Sequence, residues 1–120
     1  MALAQVGLGT VTIVSAGTSE ACYTVGSAKT AYIRSVLLHS LNPSITQIST
    51  VHIVPNSGGS YVTGTATSLN QIAKIGLGTD DTYFLELAYP ITLSSNGDSL
   101  VVDNKGTKGI NVVVLGDKEL

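Results

Sequence analysis

The chain has 120 residues, 43% of them hydrophobic and only 12% charged, with a net charge of −2, one Cys, one Phe and no Trp. That length suits a single domain, and the charged fraction is roughly half that of an ordinary soluble domain, with Thr, Ser, Gly and Asn taking up the polar share. The basic residues Lys29, Arg34, Lys74, Lys105, Lys108 and Lys118 are scattered and no tyrosine platform is interleaved with them, which excludes a nucleic-acid footprint. No apolar run is long enough for a membrane helix, and Cys22 has no internal disulfide partner.

Residues 1–19 carry no side-chain charge, and residues 1–9 read as an extended arm of one domain spanning 1–120. The opening MALAQVGLGTVTIV lacks the basic start and apolar core of a signal peptide, so a soluble chain made inside a cell is expected. Gly7-Leu8-Gly9 opens no helix and is not followed by Gly-Lys-Ser/Thr, so it does not form a phosphate loop. From there on, β-branched residues crowd short segments divided by Gly, Asn, Ser and Pro, and no window keeps apolar residues at helical spacing. Strands are expected at about 10–16, 20–25, 30–40, 46–54, 60–64, 68–77, 82–93, 98–103 and 109–115, a spacing that points to an all-β fold. The expected architecture is a single antiparallel β-sandwich, jelly-roll-like or Ig-like, of about eight short strands.

Cys22 lies between Ala21 and Tyr23 on an expected strand and reads as a buried, inert thiol, since a nucleophile needs a paired base and an electropositive setting. The stretch from Ile33 to Leu38 is apolar on both faces apart from Arg34 and Ser35, as in a strand buried on both sides. If 30–40 and 46–54 form a hairpin around Asn42-Pro43-Ser44, His39 and His52 lie across from each other. Two imidazoles without a third ligand make a weak metal site, so a structural or interface role is expected for them.

Between Arg34 and Lys74 there is no Lys, Arg, Asp or Glu. Edge strands usually carry charge or Pro against stray pairing. A run without that defence implies either edges covered in an assembly or cover supplied within the monomer. The run holds the Pro55–Gly59 loop and Tyr61, and its loop and polar face are the expected contact surface, with Ile48, Val51 and Ile53 in the core.

Further along, Leu69, Ala73, Ile75 and Leu77 share one face against Asn70 and Lys74. Tyr83, Leu85, Leu87 and Tyr89 oppose Glu86, and Ile110, Val112 and Val114 share a face of the last strand. Asp80 and Asp81 are neighbours whose side chains diverge, so they read as a solvated turn and not a catalytic pair, while Asp98 and Asp103 flank a short strand. Asn96-Gly97 signals a tight hairpin, and residues 104–109 read as a loop. No catalytic, metal or cofactor residues are expected.

The blocks Tyr23-Thr24-Val25-Gly26-Ser27-Ala28-Lys29-Thr30-Ala31-Tyr32-Ile33-Arg34-Ser35-Val36-Leu37-Leu38-His39, Val51–Gly59, Leu87–Leu93 with Gly97–Leu100, and Val114–Glu119 resemble small β-sandwich structural proteins of tailed-bacteriophage virions. The resemblance runs from Ala21 to the C-terminus with a gap across Ser60–Ala66, and its motifs are strand-and-turn patterns. It implies a non-enzymatic virion protein, made in the host cytoplasm. The first expectation is a homotrimeric capsid decoration (cement) protein that bridges neighbouring subunits of the major capsid protein. The alternatives are a neck, tail or fibre module of the particle and, further off, a carbohydrate-binding sandwich, which wants an exposed aromatic platform. Expected interface residues are Tyr32, Ser57, Tyr61 and Thr65.

Overall fold

The computed structural model describes residues 3–7, 11–26, 29–54, 70–94 and 98–119. Among these there is no helix, and the β-branched segments form β1 (Leu3–Gly7), β2 (Thr12–Val14), β3 (Ser19–Thr24), β4 (Thr30–Ser40), β5 (Gln47–Val54), β6 (Gln71–Leu77), β7 (Thr82–Ser94), β8 (Ser99–Asn104) and β9 (Ile110–Glu119). The expected strand at 60–64, the Pro55–Gly59 loop and the expected interface residues Ser57, Tyr61 and Thr65 lie outside the described residues.

Two antiparallel sheets pack face to face. One has the order β1-β9-β4-β7, with β2 also pairing with β9; the other has the order β3-β8-β5-β6. β1 pairs with Leu115–Glu119 and β2 with Ile110–Val112, so the two short strands share one edge, and Leu3–Gly7 of the expected arm belongs to the sheet. The pairs nest: β5 with β6, β4 with β7, β3 with β8, and the β1/β2 edge with β9. Eight strand positions rolled up in this way make the double-sheet jelly roll, the first of the two sandwich types expected.

The core lies between the sheets and is built from alternate residues of each strand. Val14, Ala31, Ile33, Val36, Leu38, Val51, Leu77, Leu93, Leu100, Val102, Ile110 and Val112 are removed from solvent. In β4 the inward set changes phase between Ile33 and Val36, because one residue, Arg34, is left out of the ladders with both neighbours. This bulge returns Val36 and Leu38 to the core; with strict alternation they would turn outward. β4 is therefore not buried on both sides as expected. Its inner face is buried, Tyr32, Ser35, Leu37 and His39 on the outer side are half-buried, and Arg34 is exposed. The strands buried nearly throughout are β5 and β8.

β4 lies between β9 and β7, and β5 lies between β8 and β6. The described part of the charge-free run thus falls largely on two interior strands, whose backbone groups are paired on both sides. For these residues the cover comes from the monomer's own sheets. The expected hairpin from β4 to β5 does not form either, because the two strands belong to opposite sheets. The same holds for β7 and β8, so no hairpin pairing flanks Asn96-Gly97, which itself lies outside the described residues.

Candidate interaction face

On the outer side of the β2-β9-β4-β7 sheet, strand register aligns residues in rows. Ile13, Asn111, His39 and Thr82 lie side by side, as do Val113, Leu37 and Phe84, followed by Leu115, Ser35 and Glu86. Phe84 is 53% exposed and Ile13 62%, although both are large and apolar, while Leu37 and Val113 between the edges are half-buried. Large apolar side chains clustered on an open sheet face mark an interaction surface more often than scattered ones do. The first two of these rows hold no Asp, Glu, Lys or Arg, and the third carries Glu86.

A buried polar network fixes the loops next to this face. Gln47 Nε2 donates to Ser40 Oγ (3.0 Å), and Gln47 Oε1 accepts the Lys108 N–H (2.8 Å). Asn104 Nδ2 donates to the carbonyls of Val14 (3.0 Å) and Lys108 (2.7 Å), while its Oδ1 accepts the Gly106 N–H (2.8 Å). Asn42 Oδ1 accepts the N–H groups of Ser44 and Ile45, and Asn42 Nδ2 donates to Thr107 Oγ1. Ser40, Asn42, Gln47 and Asn104 are all buried, and satisfied networks of this kind rigidify what they join. The result is a fixed mount for Leu41, whose N–H donates to the Gly109 carbonyl (3.0 Å). Leu41 and Ile13 flank Gly109, with side-chain carbons 3.4 and 3.6 Å from where a β-carbon would stand. The apolar surface therefore runs from Phe84 on β7 across the sheet to Ile13 and Leu41.

Polar groups border it. His39 Nδ1 shares a 2.7 Å hydrogen bond with Thr82 Oγ1. Asn111 Oδ1 is shielded from solvent and has no hydrogen-bond partner among the described residues. Beyond Ser35, the bulged Arg34 donates from Nε to Asp117 Oδ2 (2.8 Å), and its Nη2 lies 2.6 Å from the same oxygen. Arg34 is half-exposed, so solvent screens the pair and its contribution is about 0–1 kcal/mol. Tyr32, the one expected interface residue within the described set, is half-buried on this side in a row with Asp117 and Thr92, separated from Phe84 by the bulge.

The residues that carry the face were not singled out by sequence reasoning. A signal for Phe84 existed: it shares the side of β7 with Glu86, so an aromatic falls on the solvent-facing register. Val113 and Leu115 likewise make the polar side of β9 apolar.

The chemistry-bearing residues are dispersed. His39 stands on the outer side of one sheet and His52 in the other sheet, not across from each other; His52 is buried, with Nε2 2.8 Å from Thr50 Oγ1 and Nδ1 2.9 Å from Asn70 Oδ1. Cys22 is buried at a bulge in β3, where burial pushes its thiol up to about 12, so it stays protonated at neutral pH. Among the described residues no group of three His, Cys, Asp or Glu is placed to hold a metal ion. Neither a protein-family model nor a curated protein matches the sequence.

Proposed function

We propose that the chain is a non-enzymatic structural protein that attaches to protein surfaces through the outer face of its β2-β9-β4-β7 sheet. The apolar row Phe84–Leu37–Val113, exposed at Phe84 and continued by exposed Ile13 and Leu41, is the observation that carries this reading. Burial of apolar area drives association, and interface centres are enriched in aromatics and depleted in Lys, Glu and Asp. Docking of these rows desolvates no fixed charge.

In its specific form the reading is a capsid decoration protein of a tailed-phage virion, bridging neighbouring subunits of the major capsid protein. The resemblance of the strand-and-turn blocks supports it, as does the low charge of the chain. Viral capsid and lectin domains share the jelly-roll order, so the apolar row and not the topology bears the weight. A sugar platform is disfavoured because the exposed aromatics of β7 do not share a plane of approach. Tyr83 and Phe84 alternate across the strand, and Tyr89 stands in a stretch left out of the ladder.

The test mixes purified chain with phage particles lacking it and counts bound copies after sedimentation. The parent is expected to bind, and a Phe84→Asp, Ile13→Asp double variant to keep its far-UV spectrum and lose binding. A copy number matching the shell subunits places the protein on the capsid; one matching the neck, tail or fibre moves it there. A parent that does not bind, or a double variant that binds equally well, overturns the reading.

A further inference from the structure

We infer that β7 pairs with β7 of a second copy of this chain, antiparallel about a two-fold axis at Phe84, joining two sheets into one. Among the described residues β7 is an edge strand, paired with β4 alone, and Thr82, Tyr83, Phe84 and Glu86 along it are exposed. An exposed edge offers a row of free backbone donors and acceptors, and the occupant that satisfies them is another extended strand.

The other edges are blunted. β6 carries exposed Lys74 and a bulge at Ile72, and β3 carries exposed Glu20 and a bulge at Cys22. The edge opposite β7 is divided between two short strands, β1 and β2. In β7 the ladder with β4 jumps from Glu86 to Ile91, so Leu87–Pro90 leave it together, and Pro90 lacks an N–H to donate. That interruption defines the pairing segment as Thr82–Glu86, in which Glu86 is the sole charge.

The segment is complementary to itself in one register. With Phe84 opposite its mate, Tyr83 faces Leu85 and Thr82 faces Glu86 of the second copy. The aromatic rings form a cross-strand pair, a favourable combination in antiparallel sheets. The two Glu86 carboxylates fall on opposite sides of the axis, about 14 Å apart at about 3.4 Å per residue, beyond the screening length of about 8 Å at physiological salt. The rows Phe84–Leu37–Val113 of the two copies then abut, doubling the apolar face. The pairing is isologous and closes as a dimer, in place of the trimer that the family resemblance implies.

The measurements use the isolated chain, so they stand or fall apart from attachment to a particle. Light scattering after size exclusion is expected to give twice the 12.3 kDa chain mass. In a Cys22→Ala background, Phe84→Cys is expected to form a disulfide-linked dimer on mild oxidation, because opposed residues lie about 4.5–5.5 Å apart, within disulfide reach. Ile13→Cys, at the opposite edge, is expected to stay uncoupled. Phe84→Lys is expected to be monomeric with an unchanged far-UV spectrum. A monomeric or trimeric parent, cross-linking through residue 13 but not 84, or a folded Phe84→Lys chain that remains dimeric would each overturn the inference. If Phe84→Lys does not fold, the cross-linking comparison decides.

Discussion

A β-carbon on Gly116 would overlap the carbonyl of Tyr32. The two residues meet where β4 bulges, at the step from Ile33↔Gly116 to Ser35↔Leu115, and the close approach of the strands admits no side chain there. Gly116→Ala must push β9 from β4. Because the obstacle is backbone, the cost is expected near the upper end of the 1–3 kcal/mol range for overpacking, at about 3 kcal/mol. The thermal midpoint should fall on the order of 10 °C by calorimetry. An unchanged midpoint would show that the strands separate there without strain.

Gln47→Leu keeps the volume but removes both ends of the amide, leaving Ser40 Oγ and the Lys108 N–H without this partner. Ser40 Oγ keeps the Asn42 N–H at 3.2 Å, so the main cost is the part-buried Lys108 N–H, and a loss of about 1–3 kcal/mol is expected in urea unfolding, with the slope unchanged. A loss below about 1 kcal/mol would mean that water or a shifted loop replaces the amide.

The thiol of Cys22 carries a pH signature. Its folded pKa of about 12 lies above the ordinary 9.0, chiefly through burial, so the unfolded chain releases this proton first as pH rises. The group's contribution is complete below about pH 9 and is lost between about 9 and 12, by up to about 1.4 kcal/mol per pH unit. Unfolding free energies of the parent and Cys22→Ala should therefore diverge only above about pH 9, and a thiol reagent at pH 7 should label the denatured chain but not the native one. Rapid native labelling would count against a sealed thiol.

Asn111 offers a gain. Its shielded Oδ1 has no donor among the described residues, so Asn111→Val removes an uncompensated acceptor and adds a β-branched residue to a strand. Stability is expected to rise by about 1 kcal/mol, read from the urea midpoint. A drop would reveal a hydrogen bond made in solution.

Local chemistry was legible along the chain, and pairing between distant segments was not. β4 spans Thr30–Ser40 as its β-branched pattern suggested, and Ala73, Ile75 and Leu77 face inward on β6 as their alternation required. The link from β4 to β5 read as a hairpin because turn residues separate two strand-like runs. The link that carries β5 to the other sheet is held by the buried Ser40–Gln47 bond and the loop around Asn42, tertiary satisfaction that no spacing reveals. The charge-free run was ambiguous for a similar reason: an interior strand and an interface strand both exclude charge, and composition alone does not separate them. Phe84 was readable from its register with Glu86, but its exposure depends on β7 being an edge, a property of strand order and not of sequence.

The position of β9 bears on how the molecule comes into being. It follows the other described strands, yet it is the one that joins the β1/β2 edge to β4, bridging Leu3 to Glu119 and Ser40 to Ile110. Such widely separated pairings place the fold among slow, high-contact-order topologies, with folding times of about milliseconds to seconds. Val113 and Leu37 become neighbours only when β9 docks, so a nascent or truncated chain ending before it lacks the completed apolar face. If the face works as proposed, a chain in which β9 is not docked would present no complete surface and would not compete for the partner.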